Sequence, residues 1–101
     1  MRLFLIGPLR NDADRAALVA AESALRAIGQ TPCFGPHDIR LADTANPDEL
    51  TRERMRLMTN SEACVLIDGW GSDHVCEFEH QVAKRIGLKC TPLCILLSQH
   101  P

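Results

Sequence analysis

The stretch Ala63-Cys64-Val65-Leu66-Ile67-Asp68-Gly69-Trp70-Gly71-Ser72-Asp73 decides the fold. Its first five residues form an unbroken apolar run, which predicts a strand at 63 to 67 buried on both faces. Asp68 to Asp73, with two glycines around Trp70, predict a turn. Residues 74 to 86 then predict a helix, with Gly87 as its stop. A buried strand that turns into a helix is half of a β-α unit. In an open α/β sheet, ligands bind just outside the carboxyl ends of such strands.

Working outward, Arg2-Leu3-Phe4-Leu5-Ile6 repeats the pattern: an apolar strand ended by Gly7-Pro8. Asn11 or Asp12 can cap the next helix, whose stripe is Leu18, Ala21, Leu25 and Ile28 and whose stop is Gly29. Thr31-Pro32-Cys33-Phe34 reads as a second strand, and residues 37 to 46 as a loop. Asn46-Pro47-Asp48-Glu49 announces another helix, with Asn at the cap and Pro at the first position. Leu50, Leu57 and Met58 supply its apolar side. For the helix at 74 to 86 the spacing predicts a buried stripe of Val75, Phe78, Val82 and Ile86. Leu93-Cys94-Ile95-Leu96-Leu97 reads as a last strand.

The order β-α-β-α-β-α-β predicts one α/β domain over residues 1–101. Right-handed crossovers make its sheet parallel. The expectation is a small parallel sheet of four or five strands with about three helices. The layout is flavodoxin-like or Rossmann-like, in three layers. Helices this few cover such a sheet sparsely, which predicts a homo-oligomer.

The 101 residues are 46% hydrophobic and 24% charged, ordinary values for a globular chain. A net charge of −2 provides no broad basic field, so binding to nucleic-acid polymers is not expected. No apolar run reaches the ~20 residues of a membrane span. The opening apolar run stops at Gly7-Pro8 and lacks a leader's layout, which predicts a cytoplasmic protein. The five cysteines form no CxxC pair, and His74 and Cys76 lack a third ligand, so neither a metal nor another cofactor is expected.

Two carboxylates stand out. Glu77 shares a polar helix side with Gln81 and Lys84, whereas Glu79 lies in line with Val82, Ala83 and Ile86, at the border of the apolar stripe. A carboxylate so placed is partly desolvated, close to where a ligand would sit. Asp73, six residues earlier, is a helix cap that can also point into a site. The turns at Gly7-Pro8 and Gly69 to Gly71 follow strands that are commonly neighbours, so they are expected to face each other at the switch point. Trp70 can stack a base or sugar, or plug the sheet edge. His74 is the histidine nearest this place; His37, His80 and His100 are scattered.

Met1 to Pro8, Leu25 to Gly29 with Pro36, and Val65 to Trp70 with a Glu nine residues on resemble the nucleoside 2-deoxyribosyltransferase-like superfamily. The likeness is greatest to its short branch of the DUF4406 type. The resemblance implies N-glycosidic chemistry on deoxynucleosides or their 5′-monophosphates. It makes Glu79 the nucleophile that forms a glycosyl-enzyme, and Asp73 a residue that helps hold the substrate. Gly7, Pro8 and Leu9 would line the sugar or phosphate end, with Phe4, Asp68, Gly69 and Trp70 also at the substrate site. The chain departs from the branch at Val75, where a small residue is common, at Cys76 for Ala, at Glu62 for Asp, and at Ile6 before Gly-Pro. Phe4 stands where the transferases often have Tyr. A second reading is therefore a nucleotide-binding module without catalysis, and a third a purely structural or partner-binding domain.

Overall fold

The structure, a computed structural model, describes residues 1–32 and 47–99. The expectations for Cys33, Phe34, Pro36, His37, the loop at 37 to 46, the Asn46 cap and His100 lie outside the described residues. The elements run β1 (Arg2–Ile6), α1 (Asp12–Ala27), β2 (Thr31–Pro32), α2 (Pro47–Thr59), β3 (Ala63–Leu66), a 3-10 turn (Trp70–Ser72), α3 (His74–Arg85), β4 (Cys90–Pro92) and α4 (Leu93–Ser98). All pairings are parallel and the sheet order is β2-β1-β3-β4. Chain order thus reverses between β1 and β3, which makes their carboxyl ends the switch point.

Alternation along the strands divides the core into two layers. Leu3 and Leu5 of β1 and Val65 and Ile67 at β3 face α1, where Leu18, Ala21 and Leu25 meet them. Phe4 and Ile6, with Cys64 and Leu66, face the other way, onto Met58 of α2 and Cys76 and Ala83 of α3. Each fully buried Leu or Phe contributes about 1.5–3 kcal/mol over its exposed state. Both layers begin from β1, whose last four residues are all buried.

α1 starts where Asn11 accepts the Asp14 backbone N–H, at 2.9 Å. It stops as Gly29 takes a left-handed φ of 84°. α3 starts at Asp73, whose side chain accepts the Cys76 N–H at 3.2 Å, and stops before Gly87 at φ 83°.

The structure departs from two sequence readings. Leu93 to Leu97 is the helix α4, and the fourth strand is Cys90–Pro92. A short apolar run fits either element by pattern alone. Pro92 lacks the N–H a strand would need to continue and sits at the helix's cap position. Leu93 and Leu96 then pack on the α1 side of the core at helical spacing. The second departure is the phase of α3. Its buried residues are Cys76, Glu79 and Ala83, while Val75, Phe78 and Ile86 are about half exposed. Small residues on the inner face let this helix lie close to the sheet, and the larger apolar side chains turn aside from it. Glu79 is therefore at the centre of the buried face, not at its border.

Candidate functional site

The site grows from the two strand exits. Ile67 donates its backbone N–H to Ile6 at 2.9 Å, which holds the ends of β1 and β3 side by side. Gly69 follows in the left-handed region, at φ 91°. A Cβ on Gly69 would lie 3.5 Å from Pro8 and 3.8 Å from the Arg10 guanidinium, so the two glycine turns do face each other. Gly7 has a different reason to be glycine. A Cβ there would fall 2.8 Å from Leu18 Cδ2 and 2.9 Å from Ile67 Cβ. Packing against α1 and β3 explains Gly7 without any ligand.

Glu79 is 2% exposed, and its partner is Arg54 on α2, itself 4% exposed. Arg54 Nε donates to Glu79 Oε2 at 2.5 Å and Nη2 donates to Oε1 at 3.0 Å. Nη2 also donates to the Leu5 carbonyl at 3.0 Å. The guanidinium carbon lies 4.8 Å from the centre of the Phe4 ring. One arginine thus ties α2 to β1 and to α3. The sequence reading missed it, although the signal was there: Leu50, Arg54 and Met58 recur every four residues, so Arg54 sits in the middle of the apolar line of α2.

Two hollows meet at this carboxylate. The smaller, of about 190 Å³, is lined by Gly7, Leu9, Arg10, Leu50, Arg54, Asp73, Val75 and Glu79. The larger, of about 310 Å³, lies between α2 and α3 and adds Thr51, Met55, His74 and Phe78 to the shared Leu50, Arg54, Val75 and Glu79. Val75 is a shared wall, 55% exposed, and leaves the space between Gly7 and Glu79 open. Arg10 is one of the charged residues lining the first hollow. It bonds to Asp14 through its backbone N–H at 2.8 Å and through Nε at 3.0 Å. That hydrogen bond and the attached charge hold the Asp14 carboxyl below its ordinary range and keep Arg10 more firmly protonated.

Of the residues anticipated from sequence, Gly7, Leu9, Asp73 and Glu79 line one hollow. Pro8 is buried beside it, against Gly69. Phe4 is fully buried beneath Arg54 and supports the site from below. Asp68 is exposed and lines a separate groove between α1 and α4. Trp70 packs edge-on against His80, with ring centres 4.5 Å apart and planes at 66°, and leans on the α2–α3 side of the core.

Neighbouring thiols are held neutral. Burial raises the Cys76 thiol, aided by its hydrogen bond with Asp73. Burial beside Cys90 pushes Cys64 up to about 12. Such cysteines are inert fillers rather than nucleophiles. Among the described residues, no three His, Cys, Asp or Glu side chains gather where they could hold a metal. Nor is any described helix long and apolar enough to cross a membrane.

By sequence, no protein-family model matches this chain and no curated protein does either. By shape, it is similar to the solved structure of a 2-deoxyribosyltransferase from the psychrotolerant bacterium Bacillus psychrosaccharolyticus. The two agree with a TM-score of 0.73 at 17% identity, over 91% of this chain and 71% of that one. That enzyme is described as a biocatalyst for the synthesis of antiviral and antitumoral nucleosides. At this identity the likeness shows a shared fold.

Proposed function

We propose that this protein acts on the N-glycosidic bond of a (deoxy)nucleoside or nucleoside 5′-monophosphate, by hydrolysis or by deoxyribosyl transfer. The observation that carries the reading is the place of Glu79, a buried carboxylate where two hollows meet at the switch point. A sugar fits the smaller, more polar hollow, beside Asp73, Gly7 and Arg10. A base fits the larger one, against Met55 and Phe78. The glycosidic bond then spans the junction, where the carboxylate is. The fold shared with a 2-deoxyribosyltransferase supports the same assignment, and within that superfamily we place the chain in the short DUF4406-type branch.

The chemistry follows a retaining glycosidase. An oxygen of Glu79 attacks the anomeric carbon as the carbon–nitrogen bond breaks. The electron pair leaves with the base, which takes a proton from water at the open mouth. The ester of Glu79 is then opened by water or by a second base, which restores the carboxylate. Asp73 holds a sugar hydroxyl. No cofactor enters this scheme. The setting we assign is cytoplasmic, and the half-exposed Phe78, Ile86 and Ile95 are in keeping with self-association.

The test is a chromatographic screen for free base over a panel of nucleosides and 5′-monophosphates. Wild-type protein is expected to release base, and Glu79→Gln, with its fold checked by circular dichroism, to release none. A wild-type protein silent on the whole panel overturns the reading. The bidentate grip of Arg54 on both oxygens of Glu79 favours one alternative, a nucleotide-binding module without catalysis. Thermal stabilisation by a nucleotide without turnover, retained in Glu79→Gln, is its signature.

A further inference from the structure

We infer that Arg54 is a positioning residue, whose guanidinium fixes the carboxylate of Glu79 at the junction of the two hollows. This rests on the proposed role of Glu79. Glutamate is a long side chain, and holding one still costs rotamer freedom. A reacting atom displaced by only about an ångström costs catalysis on the order of 100-fold. Something must therefore hold this carboxylate in place, and its own helix supplies nothing that does. Arg54 reaches it from another element. It is itself located from three sides, by the Leu5 carbonyl, the Phe4 ring and both oxygens of Glu79. The Leu5 carbonyl belongs to β1, two residues before the Gly7 turn that lines the smaller hollow. The carboxylate is thus gauged against the strand whose end forms the site.

A purely structural role explains the pair less well. A buried ion pair is commonly no more stabilising than hydrocarbon of the same volume. Position 54 lies between Leu50 and Met58, so a leucine or methionine there would continue the apolar line. The charged pair is placed instead where both hollows touch it. The fork of an arginine also sets an orientation, which the point charge of a lysine does not.

The ionisable groups around Glu79 come from several elements. Arg54 comes from α2, Cys64 from β3, and Arg10 from the turn after β1. Asp73, His74 and Cys76 stand at the start of α3. Among the described residues, Arg54 is the cation in direct contact with that carboxylate.

The experiment is steady-state base release by wild type, Arg54→Lys and Arg54→Met, each checked for fold. Arg54→Lys keeps the charge but loses the fork. Its kcat is expected to fall about 10- to 100-fold, with KM changed less than about twofold. Arg54→Met is expected to lower kcat at least as far. Should Arg54→Met fail to fold, the kcat-against-KM split of Arg54→Lys decides alone. A lysine variant that melts earlier yet keeps wild-type kcat and KM overturns the positioning role and leaves the proposed function standing. Absence of base release by wild type overturns both.

Discussion

The guanidinium of Arg54 and the carboxylate of Glu79 lie in register, 25 residues apart in the chain, joined by two N–H donations with neither side chain more than 5% exposed. Each charge is buried only because the other is there. Removing one partner alone leaves an uncompensated charge in the core, and Arg54→Met is expected to cost about 3–5 kcal/mol. The double variant Arg54→Met/Glu79→Leu removes both charges and is expected to regain most of that loss. Urea unfolding of the four-membered cycle measures it. A double variant as unstable as the sum of the singles would mean that the two charges do not depend on each other.

Gly7 is set by packing, and this has its own measurable consequence. In Gly7→Ala the new methyl would meet Leu18 Cδ2 and Ile67 Cβ at under 3.0 Å. The expected loss is about 1–3 kcal/mol, typical of an overfilled core. Shortening the opposing side chain relieves the clash, so Gly7→Ala is expected to cost less in a Leu18→Val background than in wild type. Chemical denaturation of the cycle gives that difference. Equal cost in both backgrounds would place the strain elsewhere.

The frame of the molecule was legible because strands buried on both faces announce themselves by composition. β1 and β3 needed no more than an apolar run and a glycine turn, and their adjacency followed from crossover rules. Glu79 and Asp73 were singled out because they border such a turn. What the pattern could not convey was the phase of α3. Val75-Phe78-Val82-Ile86 and Cys76-Glu79-Ala83 are adjacent stripes with equally good helical spacing. The buried stripe carries the small Cys76 and Ala83 together with Glu79, which meets Arg54 of α2. Arg54 escaped notice because a lone charge on an apolar line has meaning only once its carboxylate is seen opposite. The fourth strand was misplaced because Leu93 to Leu97 is too short a run for its period to tell strand from helix.

His80 ties stability to pH. Burial beside Trp70 and the nearby charge of Lys84 hold its imidazole below the ordinary value of 6.5. The unfolded chain therefore binds a proton here more readily than the native one. The contribution is fully present above about pH 6.5 and is lost as the pH falls through the lower native value. Thermal midpoints of wild type are expected to decline over about pH 7 to 5 more steeply than those of His80→Gln. Trp70, the single tryptophan, is the local reporter. Parallel slopes for the two proteins would remove His80 from the pH response.

Asp73 has two duties that one pair of substitutions separates. Its side chain accepts the Cys76 N–H and so caps α3, and the same residue lines the smaller hollow with Gly7 and Glu79. Asparagine caps a helix about as well as aspartate, whereas alanine forfeits about 1 kcal/mol. Asp73→Ala is therefore expected to lower both the unfolding free energy and base release. Asp73→Asn keeps the oxygen that caps but loses the charge that the proposed chemistry offers to a sugar hydroxyl, so its melting temperature is expected to stay near wild type while kcat/KM falls. Scanning calorimetry and the base-release assay, run on the same preparations, read the two duties apart. If Asp73→Asn matches wild type in both, the residue is a cap and nothing more, and the polar side of the smaller hollow then rests on Arg10 and the ends of the two strands.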